Sequence, residues 1–225
     1  MPSLEETYEG YARDPRKRRA WDSENPGNRA IRAEVLEAVL EMAAKPIAGE
    51  GAILDIGCGS GWLLKALCER GVAESRIHGI DLLPARVDAA LAGLPNAEIR
   101  WADARRLPFG DGAFALVTML TVLSSMPERG AVRRALEEVR RVLAPRGLLL
   151  VYEPRVPNPL NRATRLVGSR EVGAVAGPMI GSRLVTGLPP VARRLGRLTP
   201  RAYSRLSRLA PTHRLMVYGG TIPAG

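Results

Sequence analysis

The chain has 225 residues, of which 46% are hydrophobic and 25% charged, with only two cysteines. That composition excludes whole-chain disorder and a disulfide-stapled miniprotein, and the length points to one domain. The formal net charge of +10 sits in the last third: from Pro154 onward there are twelve Arg, no Lys and one acid, Glu171, while the first 153 residues nearly balance.

The N-terminus opens on acids where a secretory leader needs basic residues. The longest uncharged apolar stretch, 114–126, is too short to span a bilayer. We therefore expect a soluble, cytoplasmic protein. Residues 1–30 are polar and aromatic-spotted, and one or two short helices are expected there. The spacing of Ile31, Val35, Leu36, Val39, Leu40 and Met42 predicts a helix over 31–44 with one buried face. AILDI (52–56) is a short apolar strand running into a glycine cluster, and WLLKALCER (62–70) is a helix stopped by Gly71. RIHGI (76–80) reads as a strand, PARVDAALAGL (84–94) as a helix and AEIRW (97–101) as a strand. FALVTML (114–120) has the continuous apolar character of a strand buried on both faces. RGAVRRALEEVRRVLAP (129–145) is a helix closed by Pro145, and GLLLVY (147–152) is another buried strand. Strand and helix thus alternate from 52 to 152, which predicts an α/β, doubly wound parallel sheet with ligands outside the carboxyl ends of the strands. Further on, 182–187 is expected as the sixth strand, 189–198 and 200–209 as two short helices, and about 212–218 as the last strand.

The first strand ends in Asp55-Ile56-Gly57-Cys58-Gly59-Ser60-Gly61. Glycines let the chain turn sharply and let a ligand approach the backbone, and the helix that follows aims its free N–H groups at that ligand. A dinucleotide fingerprint would need a third glycine where Trp62 stands. The pattern present is acid-x-G-x-G-x-G, which suits a ligand carrying a cation and suits a pyrophosphate poorly. Asp81 ends the second strand, where a carboxylate accepts from both ribose hydroxyls. Asp103 follows the third, where a carboxylate accepts from an exocyclic amine. One acid after each of three successive strands, with the loop, outlines a nucleoside with a cationic tail.

On ILDIGCGSG, HGIDLLPARV, WADARRLPFGDGAFALV and RVLAPRGLLLVYEP, the sequence resembles the class I S-adenosylmethionine-dependent methyltransferases, in particular the small-molecule group called methyltransferase type 11. The resemblance covers about residues 52–152. It implies a Rossmann-like seven-stranded sheet with the last strand antiparallel, and S-adenosylmethionine as cofactor. By the same resemblance Asp55, Gly57, Cys58, Gly59 and Gly61 would line the methionine moiety, Asp81 would hold the ribose, and Leu82 would lie beside the adenine. Asp103 and Ala104 would read the adenine edge, and Leu120, just past the fourth strand, would sit near the sulfonium. Two departures stand out: Phe114-Ala115 replaces the family's frequent Phe-Asp, and Ser124-Ser125 stand where relatives often have Glu-His. A role assigned to that histidine in relatives does not carry over.

Methyl transfer from a sulfonium requires alignment and exclusion of water more than a catalytic triad. His213, near the start of the last strand, and Glu153, after the fifth, are the candidate catalytic or acceptor-contacting residues, with Arg155 beside them. His78, inside a strand, reads as structural. Tyr8, Tyr11 and Trp21 are candidates for an N-terminal cap, with Arg29 reaching a carboxylate. Two cysteines and two histidines make no metal constellation. The expected division is a helical cap (1–45), a cofactor-binding core (52–152), and a basic lid with the last strands (153–225). In 200–209, Arg201, Arg205 and Arg208 fall on one helical face, with Tyr203, Leu206 and Leu209 nearer another. A basic lid would attract an acidic small-molecule or lipid-linked acceptor, methylated on O, N or C. An RNA methyltransferase using the same arginines, a non-catalytic cofactor-binding protein and a peripheral contact with anionic lipid remain alternatives.

Overall fold

The structure, a computed structural model, describes residues 22, 24–126, 128–157, 165–194 and 200–219. The expected cap residues Tyr8, Tyr11 and Trp21, and helix residues 195–198, lie outside the described residues. Helix α1 (Pro26–Met42) begins five residues before the first apolar position of the expected helix. The Asn25 side chain accepts from the Gly27 N–H at 2.9 Å, and Pro26 is tolerated in a first turn because its missing N–H would be unpaired there anyway. After the short α2 (Ala44–Ala48) come β1 (Ala52–Ile56), α3 (Trp62–Glu69), β2 (Ile77–Asp81), α4 (Pro84–Leu91), β3 (Glu98–Trp101) and β4 (Phe114–Leu120). A 3₁₀ turn at Leu123–Ser125 leads to α5 (Arg129–Val142), β5 (Leu143–Pro154), α6 (Ser169–Ala176), β6 (Met179–Gly187), α7 (Pro189–Arg194), α8 (Pro200–Leu209) and β7 (Pro211–Gly219).

The seven strands form one sheet in the order β3-β2-β1-β4-β5-β7-β6. β1 to β5 are mutually parallel, and β7 runs antiparallel to both neighbours. The order reverses between β1 and β4, so the carboxyl ends of these two strands flank the switch point. Alternate residues send apolar side chains to opposite faces. Ile53, Leu116 and Leu150 pack under α1 (Val35, Ala38, Val39) and α3 (Leu63, Leu64, Leu67). Leu54, Val117, Leu149 and Val151 pack under α5 (Val132, Ala135, Leu136, Val139). Each fully buried Leu, Val or Ile stabilises the fold by about 1.5–3 kcal/mol.

Two boundaries differ from expectation. α5 is not closed by Pro145; the chain passes from Val142 directly into β5, and Leu143 pairs with Phe114. The register then shifts before Leu116 pairs with Leu148, and this irregular stretch accommodates a residue that cannot donate to the ladder. β6 starts at Met179, three residues earlier than expected, and pairs along β7 only. His78 is held inside the sheet, Nδ1 3.1 Å from the Glu98 carboxylate, with Phe109 and Phe114 edge-on to its ring.

Candidate active site

The carboxyl edge of the sheet carries two polar assemblies, one over β1–β2–β3 and one over β5–β7–β6. The first is the glycine loop. The N–H groups of Gly57 and Cys58 both donate to the Ile80 carbonyl, at 2.8 and 3.0 Å, which ties the loop to the end of β2. Gly57 has φ +70°, and a Cβ there would stand 2.6 Å from Val122 Cγ2, so both backbone and space require glycine. Gly59, at φ +56°, faces open space: nothing lies within 4 Å of where its Cβ would be. Gly61, also left-handed, caps α3. Cys58 is buried against Gly79, and burial pushes its thiol well above the usual range, so it remains a thiol.

Asp81 is the junction of this assembly. One carboxylate oxygen accepts from the Gly59 N–H at 2.9 Å and the other from the Leu83 N–H at 3.0 Å. Each oxygen retains a lone pair for a further donor. Asp55, one strand over, is buried and accepts from the Thr118 hydroxyl at 2.6 Å. Burial, reinforced by the nearby Asp81 charge and offset by Thr118, raises its pKa to about 7. Leu82 is 41% exposed, and its carbonyl accepts from the Trp101 indole N–H at 3.0 Å. Asp103 accepts from the Arg105 N–H at 2.8 Å and from the Arg105 guanidinium, which holds its carboxyl below the usual range. Ala104 is buried in the apolar cluster under α5. Leu120 is the last residue of β4 rather than a residue beyond it, and it is partly buried against the α1-side core. The structure thus gathers Asp55, Gly57, Cys58, Gly59, Gly61, Asp81, Leu82, Asp103 and Ala104 around the ends of three adjacent strands, with Leu120 across the switch point.

The second assembly joins residues far apart in sequence. Glu34 of α1 accepts from the Thr186 N–H at the end of β6 at 2.9 Å and from the Tyr203 hydroxyl of α8 at 2.8 Å; Ser207 of α8 also donates to it. Arg193 of α7 donates to Asn28 at 2.8 Å, and a Cβ on Gly27 would stand 2.3 Å from the Ala192 carbonyl oxygen, so α1 and α7 meet backbone to backbone. The Tyr152 hydroxyl bonds Thr186 Oγ1 at 2.7 Å, and its ring stacks on His213 with centroids 4.9 Å apart and planes at 11°. Burial, with Arg193 nearby, lowers the His213 pKa to about 4, so its ring is neutral at physiological pH.

Glu153 lies on the opposite face of β5. Both its oxygens are engaged, by the N–H groups of Leu123 at 2.8 Å and Ser124 at 3.3 Å. Burial raises its pKa to about 7 despite these bonds. It therefore anchors the turn after β4, where Thr121 holds a left-handed φ of +59°. Arg155 donates to the Pro211 carbonyl at 3.0 Å, and Arg29 is an exposed partner of Glu24. Among the described side chains of α8, Tyr203 and Ser207 are buried, and Arg205 and Arg208 are exposed. Leu209, expected on the face with Tyr203, is 85% exposed, and Tyr203 and Ser207 donate their hydroxyls to Glu34. Sequence reasoning missed Thr118, Glu34, Thr186, Tyr203 and Thr212. Only Thr118 carried a signal, as the one polar residue in an otherwise apolar strand. A groove of about 490 Å³ between α5 and α6, rimmed by Arg129, Arg133 and Arg140, contains none of these residues.

No helix of the described residues is long and apolar enough to cross a membrane, and no cluster of three or more metal-ligating side chains occurs among them. A family model described as a methyltransferase domain matches residues 53–147. The chain is 33% identical over 111 residues to a 2-phytyl-1,4-naphtoquinone methyltransferase of Trichormus variabilis, a match covering 47% of each chain. It is 32% identical over 172 residues to a trans-aconitate 2-methyltransferase of Methylobacterium radiotolerans, covering 76% of this chain and 60% of that one. The chain thus spans between about half and three fifths of the length of these curated relatives. Among solved structures, the N-methyltransferase NodS of Bradyrhizobium japonicum, in complex with S-adenosyl-L-homocysteine, superposes with a TM-score of 0.68 at 15% identity, over 97% of this chain and 99% of that one, a likeness of fold.

Proposed function

We propose that the chain is a class I S-adenosylmethionine-dependent methyltransferase, with S-adenosylmethionine as its cofactor, and that it transfers a methyl group to an O, N or C atom of an acidic small-molecule or lipid-linked acceptor. The observation that carries this reading is Asp81, which ties the open glycine loop to the end of β2 and still offers lone pairs on both oxygens.

The residues present fit such a cofactor. The backbone over Gly59 is open to close approach, and the donor set is carboxylate-rich, as a cation and paired hydroxyls require. Asp81 is assigned the ribose hydroxyls, Leu82 the adenine face, and Asp103 with the backbone of Ala104 the adenine edge, Asp103 being shared with Arg105. Gly57, Cys58, Gly59 and Gly61 are assigned the methionine portion. Asp55, whose own ionisation is suppressed by burial and by Asp81, gains its charge when a cation approaches. When bound, the cofactor supplies a methyl group already activated on a sulfonium. What remains for the chain is to orient the acceptor and exclude water. Glu153 is assigned a positioning role: by holding Leu123 and Ser124 it fixes the turn beyond Leu120, next to the switch point.

Acceptor chemistry is argued from the second assembly. α7 and α8 join β6 to β7 at the carboxyl edge, so they form a lid docked on α1, and the exposed Arg205 and Arg208 give it a positive face. The relatives named for trans-aconitate and a phytylated quinone support a small acidic or lipid-linked acceptor. The chain then divides into an N-terminal cap (1–45), a cofactor core (52–152) and a basic lid with the last strands (153–225). The test is incubation with methyl-labelled S-adenosylmethionine and fractionated cell extract. Label is expected in the small-molecule or lipid fraction; label confined to RNA, or no transfer at all, contradicts the proposal.

A further inference from the structure

His213 sits where three strands end at the carboxyl edge. It pairs in register with Pro154 of β5 and Val185 of β6. Two strand spacings, on the order of 10 Å, separate it from β4 and the switch point, which is within the length of a small acceptor.

Its tautomer follows from the contacts of one hydroxyl. Thr212 Oγ1 lies 2.8 Å from the Thr186 carbonyl oxygen and 2.9 Å from His213 Nδ1. Two oxygens at 2.8 Å need a hydrogen between them, and a carbonyl has none to give. The single hydroxyl hydrogen of Thr212 therefore points at Thr186. The contact with Nδ1 also needs a hydrogen, and only the ring can supply it. The neutral imidazole is thus the Nδ1–H form, and Nε2 carries the lone pair. Nε2 makes no hydrogen bond with any described residue, and it is not among the buried polar atoms left without a partner. The ring cannot turn over freely, because Tyr152 stacks on it and the Tyr152 hydroxyl is itself tied to Thr186.

The groups facing this ring keep it neutral and in place. Tyr152 from β5 is buried and remains a phenol, because burial pushes its pKa up. Arg193 from α7 disfavours a second positive charge beside it. Glu34 from α1 is committed to Thr186, Tyr203 and Ser207. A neutral ring whose Nε2 lone pair meets no donor among the described residues can accept a hydrogen bond.

We propose that His213 presents its Nε2 lone pair to an O–H or N–H group of the methyl acceptor, and that Thr212 is the positioning residue that fixes the tautomer able to do so. This rests on the methyl-transfer reading above and narrows it. The acceptor then has two features: an acidic or anionic part for the lid arginines, and a hydrogen-bearing oxygen or nitrogen for His213. An acceptor offering only ionised carboxylates would meet a lone pair there and be disfavoured.

The first test needs no ligand. The chain has two histidines, so ¹⁵N spectra of the ring nitrogens, with His78→Gln for assignment, read His213 directly. At neutral pH the wild type is expected to show a protonated Nδ1 and a bare Nε2. Thr212→Ser keeps that pattern, and Thr212→Val shifts the ring towards the Nε2–H form. A wild-type ring in the Nε2–H form, or one unmoved by Thr212→Val, overturns the proposal. The second test compares initial rates of label transfer from methyl-labelled S-adenosylmethionine into cell extract. His213→Gln places an amide oxygen near the Nε2 position and is expected to retain most of the rate. His213→Asn reaches only the Nδ1 position and is expected to lose about tenfold. Binding of S-adenosylhomocysteine, read by calorimetry, stays unchanged in both. Label transfer indifferent to His213→Asn, or lost equally in both variants, overturns this proposal alone; a wild type that labels nothing overturns the methyl-transfer reading as well.

Discussion

The two ends of the sheet's carboxyl edge are built in different ways. Over β1–β2–β3 the contacts of Asp81 and Asp103 are short in sequence: Gly59 to Asp81 spans 22 residues, and Asp103 to Arg105 spans two. Over β5–β7–β6 the contacts of Glu34 join residues 152 to 173 positions apart, reaching Thr186 and Ser207. The first end is a local strand–loop–helix device whose parts must sit in fixed order. The second joins α1, α7, α8, β5, β6 and β7, with a single glutamate at its centre. Cofactor affinity should therefore depend on the first end alone, and acceptor use on the second.

Substitutions that separate the two ends sharpen this contrast. Gly57→Ala should have the largest effect. The left-handed backbone costs about 1–3 kcal/mol for a residue with a Cβ, and the 2.6 Å approach to Val122 adds to it. Denaturant unfolding should show the loss, and calorimetry should show weakened cofactor binding. Glu34→Ala comes next. It leaves the Thr186 N–H and two hydroxyls without their acceptor, at a cost of about 2–3 kcal/mol. Cofactor affinity should not change; if it falls as far as stability does, the two ends are not separable.

The third effect is a pH dependence. The folded-state pKa of His213 is lowered from 6.5 to about 4, so the unfolded chain binds its proton first as the solution is acidified. This residue's contribution to stability is complete above pH 6.5 and is lost progressively as the pH falls towards 4. Thermal melts at pH 7 and pH 5 should differ less in His213→Gln than in the wild type. Asp55 and Glu153 act in the opposite sense: their raised pKa values favour the protonated folded state, and that stabilisation fades as the pH rises through about 7. The smallest change in stability, within about 0.5 kcal/mol, should come from replacing the exposed Arg205 and Arg208 with Gln. Cofactor binding should persist while turnover of an acidic acceptor drops. Undiminished turnover would remove the case for an attracting lid.

The same contrast explains what the sequence could reveal. The parallel core was legible because β1, β4 and β5 are apolar runs punctuated by Gly and Pro, and Asp55, Asp81 and Asp103 stand at or just after the ends of β1, β2 and β3. The strand that begins at Leu143 was not, because Pro145 reads locally as a helix stop; pairing of Leu143 with Phe114 overrides it. The face of α8 was misjudged through Leu209, since nothing in 200–209 signals that Tyr203 and Ser207 would find a carboxylate on α1. His213 was legible as a residue near the carboxyl edge. Its tautomer was not, because that depends on a threonine hydroxyl shared with a carbonyl of another strand.

The most direct test of the central claim is calorimetric titration of the purified protein with S-adenosylhomocysteine, repeated with Asp81→Ala and Glu34→Ala. The account predicts binding to the wild type, a loss of more than about tenfold on removing the Asp81 carboxylate, and unchanged affinity on removing that of Glu34. Absence of binding to the wild type, or equal affinity with and without the Asp81 carboxylate, would contradict it.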